Sequence, residues 1–297
     1  MSESVPSGPV ATLPIFASVA AVFRTVLIEN LRFFPRAVLA PLLLSLLFLL
    51  LQIRFGTSLT PTEGEAPPTP GLVDFLLSLA GLMPYVIFWV AWHRLVLLGP
   101  AQGLPSYQPS WRGRHFFYFG YTLLLGAIAG IIFLFLGFAA SLLLPSPAPG
   151  TEPGSAQTIL ALAIMVLLLL IVGWFVLRLS FVLPARALDE RYGISDSWRQ
   201  TRGQGLRILA VLVIVQAIIA IPSVVIVSLI GAATGVMAMI NQMGRGHELE
   251  AGILLVGVLP VLVLGFLASY LASALGVTVL SQAFKTCSGW QPDVTPD

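Results

Sequence analysis

Only 9% of the 297 residues are charged while 57% are hydrophobic, and the mean hydropathy is +0.95. Soluble domains carry roughly a quarter charged residues, and a water-soluble core of this length has no place for so much apolar surface. The net charge of +2 leaves no electrostatic footprint for nucleic acid, and a single cysteine, Cys287, excludes an intramolecular disulfide and a cysteine-built zinc site.

What remains is an all-α polytopic integral membrane bundle in one domain, 14–285, between tails 1–13 and 286–297. The first residues, MSESVPSGPVATLPIF, contain Glu3 but no Lys or Arg, so they lack the basic start of a signal peptide and are expected to be retained on the cytoplasmic side. From Phe16 to Phe34, Phe16, Val19, Phe23, Leu27, Leu31 and Phe34 recur at helical spacing, with Ser18, Thr25, Glu29 and Arg32 on another face. This pattern predicts an amphipathic interfacial helix over about 14–34, ended by Pro35.

The first span follows at about 37–54, with Pro41 near its start, and leads to the Pro- and Thr-rich stretch Gly56–Pro70, which has no basic residue. The second, about 71–93, has Asp74 at its entrance and Pro84 inside it, and closes on Trp92, His93 and Arg94 as interfacial anchors. A Gly- and Pro-rich connection containing Arg112, Arg114 and His115 precedes the third span, about 116–144. There Gly126 and Gly130 have GxxxG spacing, which reads equally well as a helix contact or as a chance pair in a glycine-rich chain. The loop Pro145–Gln157 again lacks Lys and Arg.

The fourth span, about 157–182, runs directly into RLSFVLPARALDERYGISDSWRQTRGQGLR, Arg178 to Arg207. The fifth and sixth, about 208–231 and 251–283, lie in uncharged stretches that would each be about 50 Å long as straight helices, against a hydrocarbon slab of roughly 30 Å. Pro222, Gly231 and Gly235 are the predicted break points in the fifth and Pro260 and Gly276 in the sixth. The six helices form three hairpins.

With the N-terminus inside, Arg24, Arg32, Arg36, Arg94, Arg112, Arg114, Arg178, Arg186, Arg191, Arg199, Arg202, Arg207 and Lys285 fall on the cytoplasmic side, and only Arg54 and Arg245 outside. Basic residues in short loops set orientation, so both termini are expected inside and the protein in the bacterial inner membrane. The two basic connections also repeat a pattern, RLxxxxPA…SWR. Arg94-Leu95, Pro100-Ala101 and Ser110-Trp111-Arg112 correspond to Arg178-Leu179, Pro184-Ala185 and Ser197-Trp198-Arg199, which suggests a duplicated hairpin unit.

The inventory for catalysis is poor. No ionisable residue lies at bilayer depth, where its cost normally marks a functional role. Asp74 is near one interface, and the long side chain of Arg178 is placed to snorkel to the other. His93, His115 and His247 are scattered without HExxH spacing, and Asp189-Glu190 and Glu248-Glu250 sit in polar loops beside arginines. No nucleophile elbow, phosphate loop or dinucleotide fingerprint is present, so an enzyme is not expected, nor a cofactor or metal.

The stretch Ser195–Arg207 is the strongest remaining candidate: Ser195 placed to cap a short helix, Asp196 at its positive end, and Trp198 and Arg202 one turn apart. Arg94, Trp111, Arg112, Arg178, Trp198, Arg199 and Arg202 form the predicted contact set for a lipid headgroup or a partner. Each basic residue near an anionic surface contributes about 1 kcal/mol. The plainer reading is that these residues anchor the bundle in the membrane plane. A sharper one has Arg94 and Arg178 facing a shared vestibule and gripping lipid phosphate.

At Arg178, Leu179, Pro184, Asp189, Glu190, Ser197, Trp198, Arg199, Thr201, Arg202 and Gly203 the chain resembles the bacterial six-span proteins related to the membrane domain of glycerophosphodiester phosphodiesterases. In those, a span exits through an Arg-Leu apolar stretch to Pro, then an acidic pair, then a segment like Ser-Trp-Arg-x-Thr-Arg-Gly. No phosphodiesterase catalytic segment accompanies the motif here, so the resemblance implies architecture and a lipid-related setting rather than hydrolysis. The expectation is a non-enzymatic membrane component, lipid-associated or acting in assembly, with membrane lipids and a second copy or a membrane complex as partners and no nucleic acid. The alternative is a transporter or channel for a neutral or lipophilic solute, suggested by Pro84, Pro222, Pro260 and the overlong last spans.

Overall fold

The computed structural model describes residues 13–55, 71–103, 112–143, 154–242 and 259–292. Trp111, Arg245, His247, Glu248 and Glu250 lie outside them, as do the loops Gly56–Pro70 and most of Pro145–Gln157. Every regular element among the described residues is helical. Six helical stretches, Leu31–Gln52, Leu72–Leu98, Gly113–Leu142, Ser155–Ala187, Gly205–Val225 and Pro260–Ser288, are long and apolar enough to cross a membrane. The chain is an all-α polytopic membrane protein.

The first predicted helix is three pieces. An α-helix, α1 (Ile15–Phe23), widens into a π-helix, Arg24–Glu29, and a single 3-10 turn, Leu31–Phe33, leads into α2 (Phe34–Phe55). The break is at Asn30, not Pro35. The Asn30 backbone N–H and side-chain amide both donate to the Thr25 carbonyl, at 3.0 and 2.9 Å, closing the wide turn. Pro35 instead sits in the first turn of α2, where a missing N–H removes no helical bond. The segment packs on the bundle, burying Val22 and Val26 with Val19 and Phe23 beside them, while Phe16, Leu27, Ile28 and Leu31 stay exposed. The predicted apolar stripe is therefore split: Val19, Phe23 and Phe34 pack on the bundle, while Phe16, Leu27 and Leu31 face outward.

The second span is also divided, into α3 (Leu72–Ala80) and α4 (Met83–Leu98). Pro84 lies in the first turn of α4, so it opens a helix rather than interrupting one. A short α5 (Pro100–Gly103) follows Gly99, whose φ of 76° turns the chain back. Next come α6 (Gly113–Leu143) and α7 (Ser155–Leu179), then the short α8 (Val182–Ala187) and α9 (Ile194–Gln200), and the long α10 (Gly205–Gln242) and α11 (Leu259–Ser288).

The last two helices run unbroken through Pro222, Gly231 and Gly235 in α10 and Gly276 in α11. The predicted break at Pro260, one residue after α11 starts, adjoins residues outside the described ones. Gly276 is a crossing point instead: a Cβ there would come within 3.1 Å of the Gln216 side-chain nitrogen of α10. The GxxxG pair makes no such contact, since a Cβ on Gly126 or Gly130 would meet nothing within 4 Å.

The core forms around α4 and α11, with Phe88, Trp92, Tyr270, Ala274 and Leu275 wholly or almost wholly buried and α2 and α10 packed alongside. The six long elements alternate in direction. The starts of α2, α6 and α10 meet the ends of α4, α7 and α11 at one end of the bundle, where α5, α8 and α9 also lie. Phe181 packs edge-on to Phe284, Arg207 donates to the Leu13 carbonyl at 3.5 Å, and Trp290 donates to Glu190 at 3.3 Å there. Among the described residues, Arg54 in the last turn of α2 is the one basic residue at the opposite end.

Candidate membrane-interface site

The predicted contact residues gather at this basic end, in two joints. The first is where α7 hands over to α8 and α9. Ser197 is fully buried: its hydroxyl donates to the Arg178 carbonyl at 2.8 Å and accepts the Phe181 N–H at 3.1 Å. One side chain thus satisfies an N–H of the connecting turn that burial would otherwise leave costly, and shares with the Thr201 hydroxyl, at 3.1 Å, a carbonyl left over at the end of α7.

Arg178 lies over the same joint. Its guanidinium carbon is 3.5 Å from the centre of the Trp198 ring and 5.4 Å from that of Trp174, and its Nη2 donates to the Trp198 carbonyl at 2.9 Å. Nε reaches the Thr201 hydroxyl at 3.4 Å. Arg178 is thus held against its own connection while remaining only partly buried. Gly205 permits the arrangement, because a Cβ there would stand 2.9 Å from the Trp174 indole nitrogen and 3.0 Å from Arg178 Cγ.

The helix α9 is capped differently from the sequence expectation. Asp196, not Ser195, closes it: its carboxylate accepts the Gly193 N–H at 3.0 Å, and Ser195 is exposed. Asp74 does the same for α3 through the Gly71 N–H at 2.9 Å. A carboxylate in the first turn also favours the positive end of the helix. Tyr192 donates to the Gln200 side-chain oxygen at 2.7 Å; burial, then Asp196, pushes its phenol well above the usual range, so it remains a donor.

The second joint ties the α8–α9 connection to α4 and α6. Arg94 donates to the Ala187 carbonyl at 3.2 Å and to that of Gln102 at 3.4 Å, with Asp189 4.0 Å away; Arg114 pairs with Asp189 at 3.1 Å. Asp189 has a left-handed φ of 67°, an uncommon conformation that its two arginine partners hold in place. Arg186 stacks beside Phe117 and Tyr121, 5.8 and 5.3 Å from the ring centres. Gly103 lets α5 lie against the end of α4, since a Cβ would fall 2.5 Å from the Arg94 carbonyl oxygen. Arg94 and Arg178 thus each fasten a different joint, Arg94 through the Ala187 and Gln102 carbonyls and Arg178 through the Trp198 carbonyl and the Thr201 hydroxyl.

Three of the predicted residues face outward. Arg112, Arg199 and Arg202 are exposed, and Arg199 pairs on the surface with Asp196 at 2.9 Å. Trp111 lies outside the described residues.

A polar ladder inside the bundle was not foreseen. Along α11, Ser269, Tyr270, Thr278 and Ser281 meet Tyr85 (3.0 Å), Ser45 (2.7 Å), the Trp92 indole (3.0 Å) and His93 Nδ1 (2.8 Å). His93 Nε2 is 3.2 Å from the Tyr118 hydroxyl, and Gln282 donates to Thr25 at 3.1 Å. The signal available was the recurrence of small polar residues on one side of α11, the usual composition of a helix contact in lipid. His93 read alone gave no hint of it. Among the described residues no group of three His, Cys, Asp or Glu side chains is placed to hold a metal ion.

Residues 154–288 match the family model described as the membrane domain of glycerophosphoryl diester phosphodiesterase. The match runs from the start of α7 to the end of α11, just under half of the chain, and takes in Arg178, Trp198, Arg199 and Arg202 but not Arg94, Trp111 or Arg112. The resemblance read from the arginine-rich connection holds over that region, and it is to the membrane domain rather than to a catalytic one. No curated protein and no solved structure matches the chain.

Proposed function

We propose that this protein is a non-enzymatic component of the bacterial inner membrane, with both termini cytoplasmic, whose basic end associates with anionic lipid headgroups. The observation that carries this reading is a division of labour among the arginines. Arg94 and Arg178 are consumed by internal joints, whereas Arg112, Arg199 and Arg202 point outward at the end that gathers nearly all the basic residues. A rigid platform presenting several cations at the headgroup level gains about 1 kcal/mol per residue from an anionic leaflet. The two joints resemble each other, each an Arg-Leu helix end followed by a short helix holding Pro100 or Pro184, which supports a duplicated hairpin unit.

Transport is the weaker reading. A solute path needs polar groups facing an open passage, and those of α11 hydrogen-bond to one another or to neighbouring helices. The test is to replace Arg112, Arg199 and Arg202 together by Gln and to count the anionic lipids that co-purify, by native mass spectrometry. Fewer bound lipids are expected, with unfolding temperature unchanged because none of the three fastens a joint; an unchanged lipid count would overturn the proposal.

A further inference from the structure

The same end of the bundle holds a cleft of about 440 Å³, walled by the π-helix, the end of α4 and the last turns of α11. Its origin is local. The π-turn holds Thr25–Glu29 in a wider ring than an α-helix would, and Gly99 and Pro100 carry the chain away from the end of α4 instead of filling the space.

Two cations line it, Arg32 before α2, its guanidinium carbon 4.6 Å from the centre of the Phe33 ring, and Lys285 in the last turn of α11, together with Asn30 and Gln282. Neither cation has an ion-pair partner among the described residues. The one carboxylate at the cleft, Glu29, is already held by Arg24 Nε at 3.1 Å. Both cations stand at the basic end of the bundle, and the segment that holds Arg32 exposes Leu27, Ile28 and Leu31. An occupant should therefore be anionic at one end and apolar at the other.

We propose that this cleft binds the phosphate of one membrane phospholipid between Arg32 and Lys285, its acyl chains lying along Leu27, Ile28 and Leu31. Asn30 and Gln282, whose amides bond Thr25, hold the wall of the cleft in place. The inference rests on the reading of the basic end as lipid-facing, but it assigns a single specific site rather than a diffuse surface.

The test uses the full chain in detergent with added phosphatidylglycerol, followed by native mass spectrometry under rising collisional activation. One lipid should persist after the others have been stripped. In Arg32→Gln with Lys285→Gln that last adduct should weaken about tenfold or more, as expected for losing two cations near a phosphate. It should return in Arg32→Lys with Lys285→Arg, which keeps both charges and controls for folding. The outer-face variant at Arg112, Arg199 and Arg202 should lose loosely held lipids yet keep the tight one, so the two proposals fail independently. Equal retention by the Arg32→Gln, Lys285→Gln chain would overturn the site. Displacement of the adduct by millimolar inorganic phosphate would overturn the lipid assignment in favour of a free-phosphate site.

Discussion

Arg178 shows how much one side chain's role depends on what lies across from it. Its charge suggested the headgroups, yet its flat guanidinium lies on the Trp198 indole and its donors close on the following helix. Arg178→Lys should therefore fail to substitute, because a compact ammonium can neither stack nor donate in a fork. A loss of about 0.5–1 kcal/mol is expected, from the lost forked donation to the Trp198 carbonyl and the Thr201 hydroxyl, read from chemical or thermal unfolding in detergent. Ser197→Ala should cost about 1–3 kcal/mol in the same measurement, since it strands the buried Phe181 N–H, while the Arg178 carbonyl keeps the Thr201 hydroxyl at 3.1 Å. The Ser-Trp-Arg motif was visible in the sequence as an interfacial unit. Which member turns inward was not, because spacing along a seven-residue helix does not reveal the element packed against it. The same blindness made Ser195 the expected cap when Asp196 has the reach to close on Gly193.

Hydropathy made the six long helices legible, because lipid demands that each spanning backbone satisfy itself. The breaks were not legible. Proline was expected to interrupt a helix at Pro222 and to lie inside the second span at Pro84, but Pro222 sits within an unbroken α10, where a single missing bond does not end a helix in lipid, and Pro84 begins α4. The true interruptions, at Asn30 and at Gly81–Leu82, arise where packing redirects the chain. Pro222→Ala should accordingly leave stability unchanged or raised, since the residue is exposed and alanine restores a donor. Gly276→Leu is expected to lose about 1–3 kcal/mol, the range for overpacking, because the side chain would be driven into Gln216 where α10 and α11 cross. Unfolding of the two variants side by side separates a tolerated proline from a required glycine.

At the level of the whole molecule, the alternation of six helices places both described ends of the chain beside the same set of joints. The positive-inside argument from the sequence then becomes a prediction about every connection at once. In a Cys287→Ser background, which removes the one native thiol, Arg199→Cys should react with a membrane-impermeant maleimide in inverted vesicles and be protected in right-side-out ones. The reverse pattern would invert the topology.

That geometry also divides the molecule laterally. Beyond Leu125 in α6, and before Val172 in α7, no described residue is buried, so the far halves of this hairpin touch each other and lipid. Its attachments to the core lie near the basic end, through Tyr118 and His93, Arg186 and Tyr121, and Gly173 against Leu209. A thicker or thinner bilayer can thus be met by leaning this pair alone, at a cost of fractions of a kcal/mol per ångström of mismatch. The molecule has an exposed flank hung from a packed centre, and changes in acyl-chain length should reach the first without disturbing the second.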